Sequence, residues 1–165
     1  MRVLIVASTL LAALLWPSTA ATAAAGSSLP TCPGVRVARV PVYAKEFKGA
    51  AAYIHVFHDA GRGKVCAFLN SSASTWGKPK DMTIQLKQCS RPSSGYGGCP
   101  GQLQSKVVRG WYSGRTGTVT LDIGRGCALA WGRVSWGPHY GLMATKTVAC
   151  VAGAEGAGAR GAEGA

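Results

Sequence analysis

The sequence predicts an all-β fold: an antiparallel sandwich or barrel of about 7–8 short strands, stapled by disulfides. Apolar residues alternate with polar ones at a period of two, and Gly, Ser or Pro occupy most connections between the alternating segments. Beyond the N-terminal segment, no apolar stripe repeats with the period of a helix. Six cysteines supply the covalent links that small exported domains use.

Residues 1–25 have the order of a secretory signal peptide. Arg2 gives a positive start, residues 3–16 are almost all apolar, and residues 20–25 are mostly small. The apolar run is short for a membrane span, so we expect this segment to be removed on export. The remainder predicts one secreted β-domain, residues 26–150, and a Gly- and Ala-rich tail, residues 151–165, that has nothing to bury and is expected to be disordered.

Four strands are predicted in the first half of the domain, at residues 35–42, 53–57, 65–69 and 82–87. Pro41 cannot donate a hydrogen bond to a ladder, which marks the first as an edge strand. The second and third flank a turn that contains Gly61 and Gly63, which predicts a hairpin. The polar segment 70–80 is expected to be a loop, and the fourth strand alternates as a half-buried strand does.

Four more strands are predicted at residues 104–112, 118–123, 128–134 and 142–150, after an irregular loop at residues 91–101. Trp111 and Tyr112 are expected to point to opposite faces of their strand, with at most one of them in the core. Trp131 shares one side of its strand with Cys127 and Leu129, and we therefore predict that it is a core residue.

The chain is strongly basic, with 18 Lys and Arg against 6 Asp and Glu and a net charge of +12. Without Arg2 the count is 17 against 6, a net charge of +11. The basic residues are scattered and form no run, which fits either a solvated surface or attraction to polyanions. We expect anionic envelope or spore-surface polymers as partners, no specific nucleic-acid motif, no membrane span in the mature chain, and a monomer.

An exported chain with an even number of cysteines and no Cys-x-x-Cys pair predicts disulfides rather than zinc or redox chemistry. Six cysteines allow 15 pairings. We favour three bridges, of which the last closes a short loop: Cys32–Cys150, Cys66–Cys127 and Cys89–Cys99.

Two segments of the chain resemble secreted actinobacterial proteins of the spore-associated protein A type. The first runs from Ala52-Tyr53-Ile54-His55-Val56-Phe57 to Lys64-Val65-Cys66-Ala67-Phe68-Leu69, and the second from Trp111-Tyr112-Ser113-Gly114 to Gly126-Cys127-Ala128-Leu129-Ala130-Trp131-Gly132. Here three residues, not two, separate the second cysteine from its tryptophan. The resemblance implies an exported β domain on or around the cell or spore surface, with no known catalytic residue and no cofactor. It also favours a bond between Cys66 and Cys127.

The sequence offers little for metal binding. His55 and His58 precede Asp59, but residues three apart on a strand point to opposite faces, and His139 lies in a separate loop. We therefore expect no metal site.

The sequence likewise offers little for catalysis. Ser135 lies in Gly-x-x-Ser-x-Gly, which is not the pattern of a nucleophile elbow. The acids between the first and last cysteine are Glu46, Asp59, Asp81 and Asp122, and two of them suit turns or strand boundaries. We expect no catalytic residue and no cofactor.

A ligand surface is the remaining possibility. Aromatic and basic residues near loops could stack sugars or bases, and the predicted set is Trp76, Tyr96, Arg91, Trp136 and Tyr140. The sequence thus predicts a secreted, non-catalytic protein at the cell or spore surface that binds anionic polymers. The alternative is a secreted protease inhibitor or antimicrobial protein that uses the Cys89–Cys99 loop, which contains Arg91.

Overall fold

A computed structural model describes residues 31–151, which form two antiparallel sheets. The first sheet has four strands in the order β1, β2, β3, β6, and the second has the order β5, β4, β7, β8, with β9 paired to β7. The strands are β1 (Val35–Tyr43), β2 (Ala50–Asp59), β3 (Lys64–Ser71), β4 (Lys80–Cys89), β5 (Gln102–Tyr112), β6 (Val119–Asp122), β7 (Cys127–Trp136), β8 (His139–Ala144) and β9 (Ala149–Cys150). The predicted all-β class is confirmed as a sandwich.

The predicted signal peptide lies outside the described residues, as does the tail from residue 152. Val151, which we assigned to the tail, packs against the core and donates its backbone N–H to the Gly126 carbonyl at 3.0 Å. The predicted strand at residues 142–150 is wrong in its extent. Thr145 accepts a hydrogen bond from the backbone N–H of Ala130 and donates to the Ala130 carbonyl. The chain forms one short strand before Thr145, β8, and another after it, β9.

The core lies between the sheets and is built from every second residue of the central strands. In the first sheet these residues include Ile54, Val56, Val65, Ala67 and Leu69. In the second they include Met82, Ile84, Leu86, Ala128, Ala130 and Val134. Burial of this apolar surface is the main favourable term in folding, at roughly 25 cal/mol per Å² removed from water.

Gly132 sets how closely the two sheets approach at the centre of β7. A Cβ atom there would lie 2.8 Å from Cγ1 of Ile54 and 3.1 Å from Cδ1 of Leu69, both on the opposite sheet. Real Cβ contacts are essentially never shorter than 3.0 Å, so only glycine fits unless the side chains of Ile54 and Leu69, or the sheets themselves, shift. The small side of β7, which carries Ala128 and Ala130 as well, is therefore the core side.

The prediction that Trp131 is a core residue is wrong for this reason. It does share a side of β7 with Cys127 and Leu129, but that side is the outer face of the second sheet. Cys127 and Leu129 are buried because segment 90–101 crosses that side of β7 to reach Thr145 and Thr147, and Trp131 is only half-buried. Alternation identified the two sides of the strand correctly but not which side faces the opposite sheet.

The disulfides are Cys32–Cys66, Cys89–Cys99 and Cys127–Cys150, so only one of the three predicted pairs is correct. The predicted Cys66–Cys127 bond fails because each residue lies on the outer side of its own sheet, and the sandwich separates them. Cys32 instead reaches Cys66, with a Cα–Cα distance of 5.4 Å, after the chain before β1 crosses the end of β2. Cys127 and Cys150 are directly paired residues of β7 and β9.

Lys80, at the start of β4, is fully buried and fastens the loop between β3 and β4. Its Nζ donates hydrogen bonds to the carbonyls of Lys78 at 2.7 Å and Thr75 at 2.8 Å, and to Oγ of Ser71 at 3.0 Å. Burial, and then the neighbouring charge of Lys78, lower the pKa of Lys80. This lysine is a structural anchor of the loop that carries Trp76.

Candidate functional site

The outer face of the first sheet carries a cluster of aromatic and arginine side chains, which we call the arginine face. Its residues stand in rows across β1, β2 and β3. In one row Arg36 of β1 is paired with Phe57 of β2, and in another Arg39 of β1 is paired with His55 of β2, which is paired in turn with Phe68 of β3. Tyr53 and Arg115 complete the set. We define the arginine face as Arg36, Arg39, Tyr53, His55, Phe57, Phe68 and Arg115.

Ring contacts hold two of these arginines in place. The guanidinium of Arg39 lies 3.8 Å from the centroid of Tyr53, and that of Arg115 lies 4.6 Å from the centroid of Phe68. Phe68 also stacks on the imidazole of His55, with centroids 4.9 Å apart and planes 13° apart. A guanidinium over an aromatic ring loses little freedom when its edge then binds an anion.

The potential at the centre of the arginine face is positive. Burial, and then the charges of Arg39, Arg36 and Arg115, lower the pKa of His55 below its ordinary value of 6.5. Within residues 31–151, no ion pair joins a carboxylate to Arg36 or Arg39. Arg36 and Arg39 can therefore offer guanidinium donors to an anion without first breaking a salt bridge to one of the described carboxylates.

The outer face of the second sheet has a different chemistry, and we call its uncovered half the tryptophan face. Register places three rows across the sheet. In the order β5, β4, β7, β8 they are Trp111, Asp81, Ser135, Tyr140; then Arg109, Thr83, Arg133, Leu142; then Val107, Gln85, Trp131, Ala144. The remainder of this outer face lies beneath segment 90–101, whose Ser93 and Gly97 form hydrogen bonds with Thr147 and Thr145.

Asp81 neutralises charge at the centre of the tryptophan face. Its Oδ2 accepts from Nη2 of Arg133 at 2.7 Å and from Nη2 of Arg109 at 3.1 Å, and its Oδ1 accepts from Nε of Arg109 at 3.3 Å. The Asp81 side chain is only 13% exposed, so these bonds are less screened than a surface pair. Among the described residues, Arg109 and Arg133 are thus paired with a carboxylate, whereas Arg36 and Arg39 are not.

The predicted ligand residues do not form one surface. Trp76 is exposed in the loop that Lys80 anchors and packs near Gly114, whereas Tyr96 and Arg91 are exposed near the other end of β4. Trp136 is half-buried, with its ring centroid 5.4 Å from that of Phe47. Tyr140 belongs to the tryptophan face.

The disulfide loop of the predicted alternative function lies along the sheet. Ser93 exchanges hydrogen bonds with the hydroxyl of Thr147, donating to it at 2.8 Å and accepting from it at 3.2 Å. Gly97 donates to the Thr145 carbonyl at 3.2 Å. These bonds fix the loop backbone and keep it against the C-terminal segment, while Arg91 remains exposed.

The predicted metal candidates occupy separate environments. His55 is on the arginine face, His58 lies on the opposite side of β2, and Nδ1 of His139 lies 3.1 Å from the Lys45 carbonyl oxygen. Within residues 31–151, no group of three His, Cys, Asp or Glu side chains is placed to hold a metal ion. The same part of the chain contains no helix of the length and hydropathy that a membrane span requires.

The four acids of the domain serve local structure. Glu46 pairs with its neighbour Lys45 at 3.5 Å, Asp59 accepts from the backbone N–H of Arg62 at 3.3 Å, and Asp122 accepts from that of Gly124 at 3.1 Å. Asp81 is taken up by two arginines. None of these four acids belongs to the arginine face, so the charged side chains of that face are cationic.

Sequence reasoning missed both faces, although one signal was present. In β2, Tyr53, His55 and Phe57 alternate with the aliphatic core residues Ile54 and Val56, so both sides of the strand carry large side chains. A strand of this kind in a two-layer fold indicates a second, outward cluster. The arginines that join it come from β1 and from a distant loop, and only the register reveals them.

A comparison of the chain with known protein families, with characterised proteins and with solved structures finds no match. Its three disulfides are consistent with an extracellular protein. The chemistry of the two outer faces is therefore the basis on which a function can be inferred.

Proposed function

We propose that this is a secreted, non-catalytic protein that associates with the cell or spore surface by binding anionic extracellular polymers through the arginine face. The observation that carries the proposal is the pair of guanidiniums held over Tyr53 and Phe68, at 3.8 Å and 4.6 Å from the ring centroids. The spore surface is suggested only by the resemblance to spore-associated proteins.

The arrangement favours anions over flat uncharged rings as ligands. Arg39 occupies one face of Tyr53, while Phe68 is nearly buried and is already in contact with His55 and Arg115. Little ring surface is left for a base or sugar to stack on. The guanidinium edges of Arg36 and Arg39 are the groups that remain for binding, and they match carboxylate, sulfate or phosphate oxygens.

The rest of the domain supports the same ligand class. The described residues include 16 Lys and Arg but only the four acids named above. This imbalance attracts polyanions from a distance, and the arginine face adds fixed donors at short range.

Salt titration of binding tests the proposal. The mature protein is titrated with dextran sulfate, with DNA and with a purified polyol-phosphate wall polymer. Arg36→Ala combined with Arg39→Ala is expected to lower affinity at least about tenfold and to reduce the slope of log K against log salt by about 1.4–1.8.

The matched control removes the same charge elsewhere. Arg91→Ala combined with Arg125→Ala also removes two exposed arginines, but neither belongs to the arginine face. This control is expected to change affinity much less. Equal losses in the two double variants would mean that binding follows net charge alone, and the arginine face would be rejected as the site.

A lysine at position 39 isolates the contribution of stacking. Arg39→Lys keeps the charge but loses the planar contact with Tyr53. We expect an affinity between those of the wild-type protein and Arg39→Ala. An affinity equal to wild type would show that the ring contact contributes nothing to binding.

The second candidate, an inhibitor or antimicrobial protein, is supported by the fixed backbone of the Cys89–Cys99 loop and the exposure of Arg91. Inhibition of a serine or metalloprotease that is lost in Arg91→Ala would favour it over polymer binding.

A further inference from the structure

The tryptophan face exposes two aromatic rings at its opposite edges. Trp111, on β5, is 72% exposed and Tyr140, on β8, is 49% exposed. They end the same row, with Asp81 and Ser135 between them. Since neighbouring strands lie about 4.8 Å apart, the backbones of the two aromatic residues are about 14 Å apart. A linear ligand across the sheet can contact both rings and the polar residues between them, which we call the polar strip (Asp81, Thr83, Gln85, Arg109 and Arg133).

The polar strip contains both donors and acceptors. The Asp81 carboxylate lies between Arg109 and Arg133 and pairs with both of them. Gln85 stands on the same strand as Asp81, in the third of the three rows. Within residues 31–151, Thr83 Oγ1 and Arg133 Nε are buried without a hydrogen-bond partner. These two residues are direct neighbours across β4 and β7, so two adjacent polar atoms beneath the strip lack a protein partner.

This distribution is the reverse of a typical protein interface, which has an apolar centre and a polar rim. Here the most exposed apolar residues lie on the edge strands β5 and β8, whereas the central strands carry Asp81, Arg133 and Gln85 beside the half-buried Trp131. A ligand that suits it must present apolar surface at intervals and hydroxyl groups in between.

We infer that the tryptophan face binds a polysaccharide of pyranose rings, with sugar rings on Trp111 and Tyr140 and hydroxyl groups on the Asp81, Arg109 and Arg133 group. The aliphatic C–H face of a pyranose carries slight positive charge and packs against the negative face of an aromatic ring. Its hydroxyls both donate and accept, so they suit a carboxylate flanked by guanidiniums. A polyanion is a poorer fit because Asp81 already neutralises part of the positive charge.

Retention on insoluble polysaccharides tests this inference separately from the polyanion proposal. The mature protein is mixed with cellulose, chitin, xylan or starch at about 1 M salt, where the Debye length of about 3 Å suppresses binding by net charge. Retention on at least one of them is expected. Trp111→Ala and Tyr140→Ala are each expected to weaken it about tenfold or more, as the loss of a stacking partner does.

Two controls define the site. Trp76→Ala removes another exposed tryptophan that is outside the tryptophan face, and Arg36→Ala with Arg39→Ala removes the polyanion site. Both are expected to leave retention unchanged, and circular dichroism establishes that each variant is folded.

Three outcomes would overturn the inference. They are no retention of the wild-type protein on any of these polysaccharides, retention that persists in Trp111→Ala and Tyr140→Ala, and a dimer in sedimentation equilibrium that dissociates in Trp111→Ala. The last would assign the face to a second copy of the chain.

Discussion

The two outer faces of this sandwich use the same residue types in opposite ways. On the arginine face, guanidiniums lie over the rings of Tyr53 and Phe68, and the arginines of β1 have no carboxylate partner within residues 31–151. On the tryptophan face, the arginines bind Asp81 and the rings of Trp111 and Tyr140 are exposed. Residue composition alone therefore does not define a binding surface. What matters is which groups are already satisfied by their neighbours.

The covering of the two sheets differs as well. Cys32–Cys66 ties the chain before β1 to the first sheet. In the second sheet, Cys89–Cys99 closes the loop that covers half of the outer face, and Cys127–Cys150 joins β7 to its edge partner β9. The tryptophan face is therefore the part of that sheet that the covering leaves open.

The largest expected effect comes from removing this covering. Cys89→Ala with Cys99→Ala is expected to lower the free energy of unfolding by about 3 kcal/mol, because the closed loop no longer restricts the unfolded chain. Polyanion affinity should be unchanged, since the arginine face is on the other sheet. Urea denaturation and salt titration measure the two quantities, and a parallel loss of polyanion affinity would contradict the independence of the faces.

The next largest effect is expected from Asp81→Asn, which makes the tryptophan face resemble the arginine face. The variant leaves Arg109 and Arg133 without their carboxylate, at a cost of about 1–3 kcal/mol in stability. Polyanion affinity should rise a few-fold, and retention on neutral polysaccharide should fall. Unaltered affinity for both polymers would show that the ion pairs do not distinguish the faces. Thermal unfolding and the two binding assays measure these changes.

The smallest effect is a shift in the titration of His55. Its pKa is lowered, so in the window just below 6.5 the unfolded chain holds more protons than the folded one, and His55 makes stability fall as pH falls. An anion bound by Arg36 and Arg39 offsets two of the charges that lower this pKa and is expected to raise it. NMR titration should therefore place the midpoint of His55 below 6.5 in the free protein and higher with dextran sulfate. An unchanged midpoint at saturation would place the polymer elsewhere.

Much of the fold could be predicted because its signals are local. Alternation located the strands, the glycines of the turn located the β2–β3 hairpin, and Pro41 marked β1 as an edge strand, which the structure confirms. The errors concern long-range geometry. The side of β7 that faces the core depends on the close approach at Gly132, and the pairing of Cys32 with Cys66 depends on how the chain crosses β2.

The candidate sites were less predictable than the strands. Tyr140 was expected in a ligand surface, but its neighbours in the row, Asp81 and Trp111, come from two other strands. Arg39 and His55 become neighbours only through the register of β1 and β2. Binding surfaces on sheets are assembled across strands, and a single sequence does not contain the order in which the strands pair.

The back-to-back packing of the two sheets has a mechanical consequence. The outer faces point in opposite directions, so ligands on them would not compete for space, and neither would require the domain to rearrange. A single copy that held an acidic polymer on one side and a glycan on the other would act as a cross-link between two layers of an envelope. The two binding sites that a cross-link needs would both be provided by one sandwich, without dimerisation or a second domain.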